Sequence, residues 1–245
     1  MNSKRKVEVC FSPALFPYFQ DFNSIVVIAD TLRATSAICT AFANGVEKVI
    51  PVSDLEEAKE YKRKGFMVAA ERDGVVEEFA DFGNSPFNFT AERVKGKTVV
   101  YSTTNGTQAI QMAKKCYKVI IGSFINLDAI CNWMIDQNRN VVILCAGWKN
   151  KFSLEDTIFA GSVVEQLLKS ENYFTICDSA IAAIDLWSIA KDDLVSYIDK
   201  VAQRSRLRKL GLDDVIEYCH IPNITDIIPV LKDGCLVGIK KITED

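Results

Sequence analysis

Residues 24–43 read SIVVIADTLRATSAICTAFA, and they show the strand-to-helix pattern on which the interpretation of the whole chain depends. Its uninterrupted apolar segment, 25–29, is typical of a strand that is buried on both faces of a parallel sheet. Asp30 follows directly, and apolar residues at 37, 38, 41 and 42 then have the spacing of a helix packed on that sheet. A buried strand, an acidic residue and a helix in this order predict an α/β fold.

The polar residues between strand and helix suggest a binding site. Arg33, Thr35 and Ser36 lie at the predicted N-terminus of the helix, close after Asp30. Free backbone N–H groups and the positive end of the helix dipole favour an anion there. Arg33 could add a forked contact, and Asp30 could hold a divalent cation against the anion. The alternative is that Asp30 only caps the helix and Arg33 pairs with it; this stretch alone leaves both open.

The same alternation of strand and helix continues along the chain. The stretch 97–110 resembles the first one, and both are followed by Lys-Val-Ile, the pattern that an internal duplication would leave. The sequence predicts one compact α/β domain over 1–245, a layered α/β/α structure with a mostly parallel sheet. Two similar βαβ halves with a boundary near 92–97 stay open, because all βαβ units resemble one another.

Composition excludes several classes of protein. With 245 residues, 49% of them hydrophobic, the chain can bury a substantial core. A net charge of −3 without a basic stripe argues against a nucleic-acid partner. No signal peptide and no run of roughly 20 apolar residues is present, so we expect no membrane association and a cytoplasmic location. The eight cysteines are scattered singly and indicate reduced core residues.

Acidic, hydroxyl and amide side chains follow several predicted strands. Glu71 with Arg72 follows one strand, the turn 103–107 (TTNGT) follows the next, and Glu155 with Asp156 follows a later one. Because strand ends in an open α/β sheet share one edge, we expect these groups to meet. Carboxylates and hydroxyls there suit Mg²⁺ beside an oxyanion. Acids in a first helical turn are, however, also common on dipole grounds alone.

Other mechanisms are poorly supported. His220 is the only histidine, which argues against a Ser-His-Asp triad or a histidine metal site. The phosphate-loop spacing of nucleotide-binding proteins is absent. The segment 81–90, DFGNSPFNFT, is predicted as a site loop, although its phenylalanines could also anchor a simple surface connection.

The C-terminal part is predicted to be helical and then to end in a hairpin. Residues 178–190, 192–208 and 212–220 have helical patterns. Arg204, Arg206, Arg208 and Lys209 form a basic cluster typical of a solvated face, though one arginine could reach an anion. Residues 226–231 and 235–242 predict a hairpin with a three-residue turn that contains glycine.

Six ordered motifs carry a family resemblance. The segments VVIADTLRATS, AAERDG, DFGNSP, STTNGT, CAG and EDTIFAG closely resemble the 2-phosphosulfolactate phosphatase family of ComB-like proteins over nearly the whole chain. The resemblance implies an α/β fold with two related halves, a Mg²⁺ requirement, and hydrolysis of 2-phosphosulfolactate to sulfolactate and phosphate, as in coenzyme M biosynthesis. A late family segment is matched only loosely by RSRLRKLGLDD, which bears on the substrate more than on the chemistry.

The motifs and their placement give a working hypothesis of metal-assisted phosphoryl transfer. The expected catalytic residues are Asp30, Arg33, Glu71 and Asp156. Two or three of the following would hold Mg²⁺: Asp30, Glu71, Glu155 and Asp156. The expected substrate-binding residues are Arg33, Thr35, Ser36, Arg72, Asn84, Ser85, Thr103, Thr104, Asn105, Gly106 and Thr107. Whether Asp30 attacks phosphorus or holds the metal stays open, and Glu71 or Asp156 could act as general base. A different small anionic phosphoester, a non-catalytic anion-binding role and a homo-oligomer also stay open.

Overall fold

Eleven strands form one mixed sheet in the computed structural model, which describes residues 4–240 of the chain. The strands are β1 Arg5–Cys10, β2 Ile25–Ala29, β3 Lys48–Pro51, β4 Met67–Arg72, β5 Val75–Val76, β6 Thr98–Ser102, β7 Lys118–Gly122, β8 Val141–Cys145, β9 Tyr173–Phe174, β10 Ile228–Lys232 and β11 Cys235–Ile239. Their spatial order is β5-β4-β6-β3-β11-β10-β7-β2-β8-β1-β9. Among the described residues, six strand pairings are parallel and four are antiparallel, which confirms a mostly parallel sheet.

Helices cover both faces of the sheet. They are α1 Ala34–Ala43, α2 Leu55–Arg63, α3 Ala91–Val94, α4 Gly106–Ala113, α5 Leu127–Gln137, α6 Leu154–Lys169, α7 Asp178–Ala190, α8 Leu194–Ile198, α9 Ala202–Lys209 and α10 Val215–Cys219. Successive side chains of β2 point to opposite faces: Ile25 and Val27 join one large apolar cluster, whereas Val26 and Ile28 join another. The layered α/β fold is therefore confirmed. Within residues 4–240, no helix is both long and apolar enough to cross a bilayer.

The sheet contains two groups of parallel strands rather than one. One group is β4-β6-β3, and the other is β7-β2-β8-β1-β9. Each group combines strands from before and after residues 92–97, so the two sides of the predicted boundary are interleaved in the sheet. Whether the chain arose by duplication stays a prediction.

A C-terminal hairpin joins the two groups. β10 pairs with β7 and β11 pairs with β3, both antiparallel. Lys232 pairs with Cys235, so the turn has two residues, Asp233 and Gly234, both at positive φ, and not the three residues expected. The part of this prediction at 241 and 242 lies outside the described residues.

The hairpin corrects the expectation of a single shared edge. Three antiparallel pairings separate the groups, so their carboxyl ends would lie at opposite edges of a flat sheet. Residues that follow β2 and β6 nevertheless line the same pocket. The sheet is therefore twisted and coiled enough to bring the two sets of strand ends together.

The predicted helix at 192–208 is wrong as a single element. Asp193 caps the separate helix α8 by accepting a hydrogen bond from the Ser196 N–H at 3.2 Å. Val201 then adopts an extended backbone, with ψ of 145°, and its side chain enters the core beside the buried Ile198. This bend starts α9 in a new direction and places its first residues beside the pocket described next.

Candidate active site

One small pocket collects side chains that follow β2, β6 and β8 and side chains from the end of β4. It measures about 20 Å³. That is room for about one water molecule. Its lining residues are Asp30, Leu32, Glu71, Asn84, Thr103, Thr104, Asn105, Gly147, Trp148, Glu155, Asp156 and Gln203. The structure thus brings together the four predicted carboxylates and four of the eleven predicted substrate-binding residues, namely Asn84, Thr103, Thr104 and Asn105.

Arg33 and Glu71 form a buried ion pair beside this pocket. Arg33 Nη2 lies 2.9 Å from Glu71 Oε2, and the two side chains are 2% and 9% exposed. The same Glu71 oxygen accepts a hydrogen bond from the Asn84 N–H at 3.2 Å. The pair therefore ties the start of α1 to the end of β4 and to the loop 81–90. Because the charge of Arg33 is matched by Glu71, the guanidinium does not offset the other acids of the pocket.

Asp156 is held in a fixed orientation by the backbone. The Thr31 N–H donates to Asp156 Oδ1 at 2.9 Å, and the Gly147 N–H donates to Oδ2 at 3.1 Å. Ser153 caps α6 by accepting a hydrogen bond from the Asp156 N–H at 3.2 Å. These contacts join the residues after β2 and β8, so the Asp156 carboxylate has little freedom to rotate.

Burial perturbs three carboxyl groups of the pocket, and repulsion from Asp156 adds to the effect at Asp30 and Glu155. Burial raises the pKa of Asp30 well above its usual range, and the charge of Asp156 raises it further. Burial, followed by the charge of Asp156, raises the pKa of Glu155 to about 7. Burial raises the pKa of Asp156 to about 6, although hydrogen bonds from Thr31 and Gly147 act in the opposite direction. Such a cluster favours either shared protons or a bound cation.

Glycine at position 106 allows the turn 103–107 to approach Asp30. A Cβ atom at Gly106 would lie 3.1 Å from Asp30 Oδ2 and 3.4 Å from Thr103 Oγ1. Thr103 Oγ1 and Asn84 Oδ1 are buried and have no hydrogen-bond partner. Since buried polar atoms are normally satisfied, these two oxygens indicate that the pocket is shaped for a ligand.

Three predicted substrate-binding hydroxyls serve the backbone instead. Thr35 Oγ1 accepts a hydrogen bond from the Asp30 N–H at 3.2 Å. Ser36 Oγ donates to the Thr31 carbonyl at 2.9 Å, and Thr107 Oγ1 donates to the carbonyl four residues earlier at 2.9 Å. Their contacts fix the two strand-to-helix turns, and these side chains do not line the pocket.

Arg72 and Ser85 also lie outside the lining of the pocket. Arg72 donates to the Glu71 and Ser53 carbonyls at 2.8 and 3.0 Å and to Ser102 Oγ at 2.9 Å. Its donors therefore join β4 to β6 and to the segment after β3. The structure gives no contact that would place Arg72 or Ser85 against a substrate.

Sequence reasoning missed Trp148 and Gln203. Trp148 lies in the turn after β8. The rule that predicted Asp30, namely that residues directly after a strand line the ligand site, applies to Trp148 as well. In the same turn, the Lys149 N–H donates to Asn105 Oδ1 at 3.0 Å and so positions this loop over the pocket. Gln203 lies in a segment predicted to be one long helix, and no local pattern marks it as a site residue.

The donor atoms of the pocket are oxygens, the type of ligand that a magnesium ion prefers. Within residues 4–240, no three His, Cys, Asp or Glu side chains form a ready-made metal site. Mg²⁺, however, usually keeps several waters and takes only one or two carboxylates together with phosphate oxygens. Among the described residues, Asp30 and Glu155 have no ion-pair partner within 4 Å, and the unpartnered oxygens of Asn84 and Thr103 lie in the same pocket.

Comparison with known proteins assigns the chain to a family. A family model described as 2-phosphosulpholactate phosphatase matches residues 10–234. A probable 2-phosphosulfolactate phosphatase of Caldanaerobacter subterraneus subsp. tengcongensis is 38% identical over 229 residues, which cover 88% of this chain and 95% of that protein. A protein of the same name from Clostridium novyi is 38% identical over 210 residues, covering 84% and 88%. One from Thermotoga maritima is 34% identical over 211 residues, covering 86% and 90%. The chain belongs to the 2-phosphosulpholactate phosphatase family, as its six motifs predicted.

Proposed function

We propose that this protein is a Mg²⁺-dependent phosphatase that hydrolyses 2-phosphosulfolactate to sulfolactate and phosphate. Membership of a phosphatase family makes the chain a phosphoric monoester hydrolase. The observation that carries the proposal is the convergence of Asp30, Glu155 and Asp156, from separate strand ends, on one pocket that also holds unpartnered oxygens. Participation in coenzyme M biosynthesis and a cytoplasmic location are further proposals that rest on the same resemblance.

The charges of the pocket support a cation requirement. A phosphate monoester carries up to two negative charges near neutral pH, and the ionised forms of Asp30, Glu155 and Asp156 would repel it. We assign Asp30 and Glu155 as the residues that would hold Mg²⁺. The ion would supply charge neutralisation at the phosphoryl oxygens. Thr103 and Asn84 would contribute their unpartnered oxygens to waters or to the ligand.

Asp156 is the group best placed for proton transfer. Its carboxylate is held by backbone N–H groups, and its pKa of about 6 lies close to neutral pH, where a general base is most effective. Glu71 is less suited, because its charge is matched by Arg33 in a buried pair. We therefore assign Asp156 to accept the proton of the attacking water, and Glu71 with Arg33 to support the pocket wall.

The pocket has to widen before substrate can enter. A volume of about 20 Å³ accommodates about one water molecule and no phosphoryl group. Trp148 and Gln203 belong to a loop and to the short helix α9, so they are the lining groups whose displacement disturbs the sheet least. Their movement would open the pocket towards a neighbouring cavity that they also line.

The test is phosphate release from 2-phosphosulfolactate with Mg²⁺ and with EDTA. We expect turnover that EDTA abolishes and that Asp30→Asn removes. Asp226→Asn is the matched control, because Asp226 is an exposed acid that pairs with Lys240 and does not line the pocket. Turnover that survives EDTA would refute the metal requirement. Absence of release from 2-phosphosulfolactate, with release from another small phosphoester, would refute the substrate.

A further inference from the structure

A second cavity adjoins the carboxylate pocket. It measures about 180 Å³, against about 20 Å³ for the pocket itself. Both are lined by Trp148, Glu155 and Gln203, so these side chains border the pocket and the cavity alike. Arg206 lines the larger cavity but not the pocket, and it lies one helical turn after Gln203 on α9. A molecule that occupies this cavity therefore lies close to Arg206.

Arg206 is held in place without an ion pair, although the charge of Glu155 acts on it at longer range. Its guanidinium carbon lies 4.4 Å from the centre of the Trp148 ring, and its Nε–H donates to Gln203 Oε1 at 2.8 Å. Within residues 4–240, no carboxylate lies within 4 Å of it, whereas Arg204 and Arg208 on the same helix both pair with Asp199. The ends of the Arg206 fork are thus left for a ligand, and its rotamers are already restricted.

The other cations near the pocket are already committed. Arg33 pairs with Glu71, and Lys149 pairs with Asp73 at 3.0 Å. Lys200 also borders the larger cavity, but it is exposed and lies 3.4 Å over the Tyr197 ring. Arg206 is therefore the half-buried cation of the described residues that could meet a second anionic group of the substrate.

We propose that Arg206 binds the sulfonate of the substrate in the larger cavity and thereby determines specificity for sulfonated phosphoesters. The inference rests on the proposed function. In 2-phosphosulfolactate the carboxylate and the phosphoester oxygen are both bonded to C2. The sulfonate is bonded to C3 and is therefore one carbon further away. With the phosphate among the carboxylates, the sulfonate is the group that extends past Glu155 towards Arg206. A guanidinium fork matches two oxygens of such a group.

Two measurements test this assignment. The first compares kcat and KM for 2-phosphosulfolactate and 2-phospholactate in wild type, Arg206→Met, Arg206→Lys and Arg208→Met. For Arg206→Met we expect a loss in kcat/KM for the sulfonated substrate of about tenfold to a hundredfold, mostly in KM, and a smaller loss for phospholactate. Arg206→Lys should recover part of the loss. Arg208→Met, an exposed position on the same helix, should behave as wild type.

The second measurement is calorimetric binding of 3-sulfolactate, which needs no turnover. We expect wild type to bind it and Arg206→Met to bind it at least about tenfold more weakly. If no phosphoester is hydrolysed but this difference is found, the proposed function fails and the sulfonate site stands. Equal losses for both phosphoesters, or sulfolactate binding that is unchanged in Arg206→Met or absent in wild type, would overturn the inference. Thermal unfolding of each variant separates a binding effect from a folding defect.

Discussion

The acidic pair on α6 should make the metal-free protein less stable as pH rises. Glu155 and Asp156 have pKa values raised to about 7 and about 6, above their ordinary values. Between the ordinary and the raised value, the folded state binds more protons than the unfolded state does. The free energy of unfolding therefore falls as pH increases through this range. Stability from these groups is fully present below about pH 4 and lost by about pH 7.

The size of the effect follows from Glu155 alone. Its pKa rises from 4.5 to about 7, mainly because the side chain is buried. At about 1.4 kcal/mol per pKa unit, this difference corresponds to roughly 3 kcal/mol of unfolding free energy. Domains of ordinary stability unfold with about 5–15 kcal/mol, so the change is large enough to measure by denaturant titration.

Urea unfolding in EDTA, followed by tryptophan fluorescence between about pH 5 and pH 8, tests this prediction. Wild type should lose stability across the range, and Glu155→Gln should flatten the dependence and be the more stable protein at the upper end. Glu165→Gln is the matched control on the same helix, because salt bridges to Lys169 and Lys191 stabilise the ionised Glu165, whose pKa is lowered. A wild-type stability that is constant or rises over this range would refute the reasoning, as would an equal effect of the control.

Three further predictions concern other parts of the site. Arg33→Met should lower the free energy of unfolding by about 3–5 kcal/mol, because it leaves Glu71 charged and buried. The double variant Arg33→Met with Glu71→Gln should lose less than the sum of the two single losses. Losses that add up in denaturant titrations would contradict this. Gly106→Ala should lower kcat on the order of tenfold with little change in thermal stability, since its Cβ would crowd Asp30 Oδ2 at 3.1 Å; an unchanged kcat would count against a role for this oxygen. Mg²⁺ at about a hundred times its Kd should raise unfolding free energy by about 3 kcal/mol in wild type but not in Asp30→Asn, as measured by thermal shift; equal shifts would exclude Asp30 as a ligand.

Local patterns predicted the parts of the site that depend on one strand and its following turn. The run 25–29 is buried at every position, as its uninterrupted apolar character indicates, and Asp30 emerges directly after it. The same rule placed Asn105 after β6 and Glu155 after β8, and all three line one pocket. These features follow from the sequence because burial on both faces and the position of a strand end are determined by neighbouring residues.

Features that depend on contacts between distant segments could not be predicted. The opposite direction of the two strand groups results from the hairpin β10–β11, which is last in the chain but central in the sheet. Arg72 was expected to bind substrate, but its donors are used by Ser102 and by backbone carbonyls. Gln203 reaches the pocket only because the chain bends at Val201, and neither proline nor glycine marks that bend.

The same side chains connect ligand binding to stability. Asp30 and Asp156 come from one strand group and Glu71 from the other, so the pocket exists only when both groups are folded together. Burial raises the pKa values of Asp30 and Asp156, and the charge of Asp156 raises that of Asp30 further, so the ionised forms of these two groups repel each other in the folded protein without ligand. A cation that relieves this repulsion must bind the folded state more tightly than the unfolded state, and it therefore stabilises the fold. Activity and stability should respond to Mg²⁺ over the same concentration range, because both depend on occupancy of one site.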